Sequence, residues 1–257
     1  MSCNNVNTTG STVPGSSDID FWLAVAKGDF TGYSIVSKFG INGSVKSGGW
    51  ESIWEGSDLY PWPTAAATLS VVSASADDAS GGTGARTVEI QGLDSSWNVL
   101  TETITMNGTT PVVTTGSFLR VFRARVVTAG SLKSNAAQIT MSSGGTTLAY
   151  ITYDTIGMGQ TLMAVYTIPA GKTGYIISIN ASSAKDNEHR FRLMTRDNAV
   201  TDAAWNVKEY LSARGGFNDW RKYAINKVTE KTDLDLQAIA SAASSAAGGF
   251  ELILIDN

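Results

Sequence analysis

Residues 86–127 read RTVEIQGLDSSWNVLTETITMNGTTPVVTTGSFLRVFRARVV. Val, Ile and Thr crowd this stretch and turn residues cut it at short intervals, the signature of short antiparallel strands. Val88 and Ile90 alternate with Glu89 and Gln91 across 87–93. Asp94-Ser95-Ser96 can reverse the chain, 97–106 runs back, Asn107-Gly108 is a turn signal, and 118–127 supplies a third strand. The stretch predicts an antiparallel meander and an all-β fold.

Working outward, 65–76 (AAATLSVVSASA), 138–141 and 146–153 add strands, with 77–85 as a loop. That makes about six or seven strands between 65 and 153, at the ~8–12-residue spacing of a sandwich or jelly roll. Downstream, 161–168 and 175–181 read as strands joined by a tight turn at Pro169-Ala170-Gly171-Lys172. Strands at 191–195 and 205–210 follow, then a mixed-charge loop at 211–223. Leu234, Leu236 and Ala238 alternate with Asp233, Asp235 and Gln237, predicting a half-buried strand with its acids in solvent. The Ala-rich 236–249 suits strand and loop better than helix, because serines and glycines interrupt it. FELILI, 250–255, predicts a central strand, with Phe250, Leu252 and Leu254 in one core and Ile253 and Ile255 on the opposite face.

The predicted organisation is two β-sandwich or jelly-roll-like units behind an extended N-terminal arm. The arm is 1–18 (MSCNNVNTTGSTVPGSSD), too polar to bury surface alone. The first unit is 19–156 and the second 157–257, with Gly157 to Gly159 as the hinge. Residues 19–30 (IDFWLAVAKGDF) read as a short helix or a strand, and 34–45 as extended or loop structure.

A chain of 257 residues can bury a sizeable core. Charged residues make up only 16%, the formal net charge is −4 and the isoelectric point is about 5.0, so no basic footprint for nucleic acid is present. The single cysteine, Cys3, sits in the arm, which excludes an internal disulfide. No basic and apolar leader opens the sequence, and no apolar run approaches the ~18–20 residues that span a bilayer. The expected setting is a protein made in a cytoplasm, with no membrane partner.

Chemistry-bearing motifs are sparse. AGKT at 170–173 lacks the earlier glycine of a phosphate-binding loop, since Tyr166 stands there, and it joins two strands rather than opening a helix. His189, the only histidine, lies in the charged run KDNEHRFR and reads as a solvated strand end. One His and one Cys make no common transition-metal site, and the aspartate pairs Asp77-Asp78 and Asp233/Asp235 lack calcium-loop spacing. No GxSxG turn surrounds a serine. Glu51 and Glu55, four apart beside Trp50 and Trp54, would share a helical face, the one arrangement that suggests paired-carboxylate glycoside hydrolysis. The simpler reading makes them surface carboxylates. No catalytic, cofactor-binding or metal-binding residue is assigned.

What remains is aromatic. Trp50, Trp54, Tyr60 and Trp62 fall within thirteen residues of loop, and Phe21 and Trp22 open the first apolar segment. Large rings beside Gly and Pro suit a partner-binding surface, a stack for sugar faces, or a cap on a β-sandwich. The candidate partner-binding set is therefore Phe21, Trp22, Trp50, Trp54, Tyr60 and Trp62.

The segments FGINGSVKSGGWESIWEGSDLYPW (39–62), RTVEIQGLDSSWNVLTETITMNGTTPV (86–112) and SFLRVFRARVVTAGS (117–131) resemble virion structural proteins of tailed phages, a group frequent in phages of marine bacteria and cyanobacteria. TLMAVYTIPAGKTGYIISINAS (161–182), TEKTDLDLQAIAS (229–241) and GGFELILIDN (248–257) carry the same resemblance, which covers roughly 35–257. It implies a particle component on the head or the tail. The expected role is a non-enzymatic capsid decoration or cement protein, a homotrimer on the major capsid protein. The alternatives are a tail, baseplate or fibre-attachment protein, or a carbohydrate- or receptor-binding module. No residue role is carried over by it.

Overall fold

The computed structural model describes residues 18–155 and 157–257, without the side chains of 18–20, 185 and 220–224. All of the 1–18 arm except Asp18, including Cys3, lies outside the described residues. The first apolar segment resolves as a helix, α1 (Asp18–Lys27), ended by Gly28 in a left-handed conformation at φ 81°. Everything after it is built on strands and turns. Among the described residues no helix is long and apolar enough to cross a membrane.

Two strands organise the C-terminal half. β11 (Lys172–Asp197) and β12 (Asn206–Val228) form one long antiparallel hairpin. The strands expected at 175–181 and 191–195 are thus one, and the loop expected at 211–223 is strand. Cross-strand pairing along the whole length, from Gly174↔Val228 to Thr195↔Asn206, overrides the Gly, Asp and Asn residues that read as breakers. The register shifts between Ser183 and Glu188. On its other edge β11 changes neighbour at the same place. Residues 172–183 pair with β14 (Ser244–Asp256), while 189–197 pair with β13 (Thr232–Ala240). A strand that switches partners at a bulge turns the corner between two sheet layers. β1 (Tyr33–Val45) pairs with the far edge of β14, and β10 (Val165–Thr167) and β2 (Glu51–Ser52) pair with β13, completing a seven-stranded sheet.

Inside this folded sheet lies one core, with Ile176, Ile179, Phe191, Leu193, Leu234, Leu236, Phe250, Leu252 and Leu254 all buried. Phe250, Leu252 and Leu254 share that core as their alternation predicts. Ile253 is buried away from it and Ile255 is half-buried. Outside, α1 lies against the face carrying Ile35 and Ile177, with Val25 buried.

The middle of the chain forms two smaller sheets. β4 (Ala85–Leu93) is flanked by β5 (Val99–Thr105) and β7 (Arg120–Ala129). The order β5-β4-β7 corrects the meander: the third strand returns beside the first, not the second. Between them the chain leaves to place β6 (Val112–Val113) on β3 (Ser70–Ser73), which continues to β8 (Ile139–Ser143) and β9 (Thr146–Ile151). A second core fills the space between these sheets, around Leu69, Val88, Ile90, Phe118, Met141 and Leu148.

The all-β expectation therefore holds, but the sheets do not divide at 156/157. Residues 33–45 and 51–52 belong to the C-terminal sheet through β1 and β2. The chain begins the C-terminal layer, leaves to build the middle unit, and returns. Gly40 marks how closely these parts approach: a Cβ there would lie 2.3 Å from the Ile53 carbonyl oxygen and 2.6 Å from the Ala164 nitrogen.

β14 holds β1 on one edge and β11 on the other, and it contributes three core side chains at ~1.5–3 kcal/mol each. Domains have only ~5–15 kcal/mol of net stability. Deleting 250–257 is expected to abolish cooperative thermal unfolding; a truncated protein with an unchanged melting temperature would contradict the central placement of this strand.

Candidate partner-binding site

The aromatic segment does not form a free surface. Trp54, Tyr60 and Trp62 are 4%, 2% and 8% exposed and belong to the second core. Their rings form a ladder of edge contacts, Trp54–Tyr60 at 5.3 Å and Tyr60–Trp62 at 4.9 Å, continued by Trp205 at 5.3 Å from Trp62. Each polar tip is satisfied. Trp54 Nε1 donates to the Asp58 carbonyl, the Tyr60 hydroxyl to the Val121 carbonyl, and Trp62 Nε1 to Asp235. Burial lifts the Tyr60 hydroxyl far above the usual phenol range. These three candidates close the seam between the middle unit and the C-terminal sheet, and they are corrected here from docking residues to core residues.

The seam is built on the outer face of β13. Its burial is nearly continuous, so Asp233, Asp235 and Gln237 are not in solvent as their alternation predicted. The apolar face meets the first core, and the middle unit covers the polar face. Asp233, fully buried, receives both Arg120 Nε at 2.9 Å and Nη2 at 3.0 Å. Arg196 Nη2 at 2.8 Å, Asn198 Nδ2 at 2.8 Å and the Thr167 hydroxyl at 2.6 Å complete its shell. Arg120 lies between the rings of Trp62 and Trp97, 5.3 and 5.0 Å from their centres, and also donates to the Pro63 and Leu119 carbonyls. Both flanking tryptophans have left-handed backbones, φ 46° and 66°. Such conformations cost about 1–3 kcal/mol each and persist where surrounding packing fixes them.

Asp235 accepts from Ser52, Gln237 and Trp62 through one oxygen, and its other oxygen is buried without a partner. Burial, only partly offset by these donors, raises its carboxyl to about 6.

The remaining acids are also structural. Glu51 and Glu55 do not share a helix. Glu51, at 3% exposure in β2, accepts from Asn42 and the Lys46 backbone and pairs with Lys46 Nζ at 3.0 Å. Glu55 accepts from Thr152 and from the Leu162 backbone, with burial raising its carboxyl. Neither is the solvated surface carboxylate expected. Asp78 is buried and gathers Ser73, Ala85, Ala136 and Ala137. His189 is buried too, corrected from a solvated strand end: it contacts Ser244 and the Asn187 carbonyl and stacks near Phe191. Among the described residues no cluster of His, Cys, Asp and Glu could hold a metal ion.

What stays accessible is elsewhere. The polar row of the seam runs outward from Gln237 to Arg192, whose Nε donates to the Gln237 side chain at 2.9 Å. The Arg192 guanidinium lies 4.1 Å from the Trp50 ring centre, and Tyr210, 52% exposed, meets Trp50 edge-on at 6.3 Å. Tyr210 belongs to β12, which among the described residues pairs only with β11, so no described strand covers its other edge. Val207, Phe217 and Ile225 on the same strand are also exposed. Phe21 and Trp22, half-buried, pack on one another at 5.2 Å, and Phe21 also contacts Phe30. Of the six candidates only Trp50 joins this open patch. Phe217 and the β12 edge were missed because 211–223 read as loop, and Tyr210, at the end of the strand expected at 205–210, was not singled out.

No protein-family model matches the chain, and no curated protein matches it.

Removing the Arg120 side chain leaves Asp233 with Arg196 as its one cation, beside Asn198 and Thr167, and breaking a buried pair typically costs ~3–5 kcal/mol. Arg120→Ala is expected to lower the melting temperature sharply, and Trp54→Ala by a similar ~3–5 kcal/mol; variants that melt like the parent would show that the seam is not structural. Asp235 predicts a pH signature. Its folded value lies about two units above the usual carboxylate value, so the folded state binds the proton more tightly. Its contribution to stability is full below about pH 4 and is lost as pH rises through about 6, on the order of 2–3 kcal/mol. Asp235→Asn should flatten that part of the stability profile relative to the parent; an unchanged slope would refute the assignment.

Proposed function

We propose that the chain is a non-enzymatic structural component of a tailed-phage particle, a decoration protein that docks on the major capsid lattice as a homotrimer. The observation that supports this reading best is the edge of β12 that no described strand covers, on a strand that carries exposed Val207, Tyr210, Phe217 and Ile225, with Tyr210 against Trp50. Exposed edges with apolar side chains are liabilities in a free protein and serve as templates for adding another chain's strand. The acids that suggested hydrolysis are committed to internal bonds. Docking thus shifts from the ring cluster 54–62 to Trp50, Tyr210 and the β12 edge.

A carbohydrate-binding module is the second reading, favoured by one observation, the accessible Trp50–Tyr210 pair with Arg192 beside it. Tail, baseplate and fibre-attachment roles differ from decoration in copy number. Hundreds of copies per particle fit the capsid, and a handful fit the tail.

Tyr210→Ala combined with Phe217→Asp changes only exposed side chains, so the variant should melt like the parent. In co-sedimentation with particles stripped of this protein, it is expected to lose at least about tenfold in affinity, since central aromatic anchors are worth ~2 kcal/mol or more. Undiminished binding would sink the β12 assignment, and quenching of Trp50 fluorescence by a glycan but not by particles would favour the second reading.

A further inference from the structure

Lys38 is a buried lysine without an acid. It sits in β1 at 5% exposure, where the edge away from β14 meets the middle unit. Its ammonium donates to the Phe122 carbonyl, one acceptor for a group with three donors. Among the described residues it makes no ion pair, and neither does Arg123, the charged side chain closest to it in effect. Arg123 donates to the Ser37 carbonyl at 3.1 Å and stands half-exposed. Nearby Glu89 is already engaged by Arg125 and Gln91.

These cations line a cavity of about 240 Å³ between β1, β4, β5, β7 and β10. Tyr166, on β10, lines it as well. The tyrosine is 95% buried, by its 5% exposure, and its ring packs on Phe122 at 4.8 Å. Its hydroxyl has no hydrogen-bond partner among the described residues. Buried tyrosine hydroxyls ordinarily find a partner. The remaining walls are mainly apolar, with Val36, Val99 and the Phe122 ring.

We propose that this cavity is a binding site for a small organic monocarboxylate, whose oxygens accept from Lys38 Nζ and the Tyr166 hydroxyl, with Arg123 at the mouth and a short apolar tail against Val36, Val99 and Phe122. Three unmet donors and two cations without a counter-ion call for an oxyanion. The apolar walls select a single charge, since each further charge taken out of water adds a desolvation cost. Burial first, and then Arg123, hold the Lys38 amine well below the usual lysine range, and a bound carboxylate removes that penalty. The site does not rest on the particle reading, and it lies on other strands than β12.

Isothermal titration of the full chain with butyrate tests it, with inorganic phosphate and butylamine as comparisons. Butyrate is expected to bind and the comparisons are not. Lys38→Met, which removes an unpaired buried charge, should fold and should weaken butyrate at least about tenfold, the scale of a charge-assisted bond. Tyr166→Phe keeps the ring packed and should weaken it about threefold to tenfold, so it decides the matter if Lys38→Met melts early. Absence of butyrate binding, or equal binding by both variants, overturns the site. Phosphate binding in place of butyrate overturns the monocarboxylate.

Discussion

The ion pair between Arg120 and Asp233 is the contact on which the arrangement of this protein depends. Arg120 stands at the start of β7 in the middle unit, and Asp233 on β13 in the C-terminal sheet, 113 residues apart. Each charge would be costly to bury alone. Together, with bidentate geometry and further donors from Thr167, Asn198 and Arg196, they satisfy one another. The tryptophan rings above and below Arg120 keep water away and tie the pair to Trp62 and Trp97. A buried pair of this kind contributes little net stability against an apolar substitute. Its strong dependence on direction and distance instead fixes how one unit sits on the other.

That constraint explains the interleaved chain path. β1 and β2 begin the C-terminal layer before the middle unit is made, and β10 to β14 return to enclose the first core. Asp235, Ser52, Gln237 and Tyr60 extend the polar row, and Glu51, Glu55 and Asp78 pin the loops at its margins. Glu51 and Glu55, the pair that suggested hydrolysis, are held by Asn42 and Lys46 and by Thr152 and the Leu162 backbone. The seam between the two apolar cores holds the buried polar groups, while Tyr210 and Phe217 stand exposed on β12.

The local readings that held share a cause. Glycine at Gly171 and Gly108 adopts the left-handed backbone that its turn requires, and Asp94 caps its own turn by accepting from Ser96 and Asn98. FELILI forms a strand with Phe250, Leu252 and Leu254 in one core because the two-residue period admits no other shared face.

The amino-acid order by itself determined the all-β class, most strand positions from 65 to 153, the turns, and the inward side of the last strand, since these follow from backbone preference and alternation over a few residues. Only the tertiary structure decided which strand lies beside which and what covers the second face of each. Alternation in Asp233–Leu234–Asp235–Leu236 identifies two faces but says nothing of whether the polar one meets water or a buried arginine. The 54–62 aromatics were visible as a cluster, yet their burial depends on β13 and β7, far away in sequence. Lys38 carried no signal at all: a lysine in a strand reads as solvated, and its burial comes from Phe122 and Tyr166, which reach it only when the chain closes its layers.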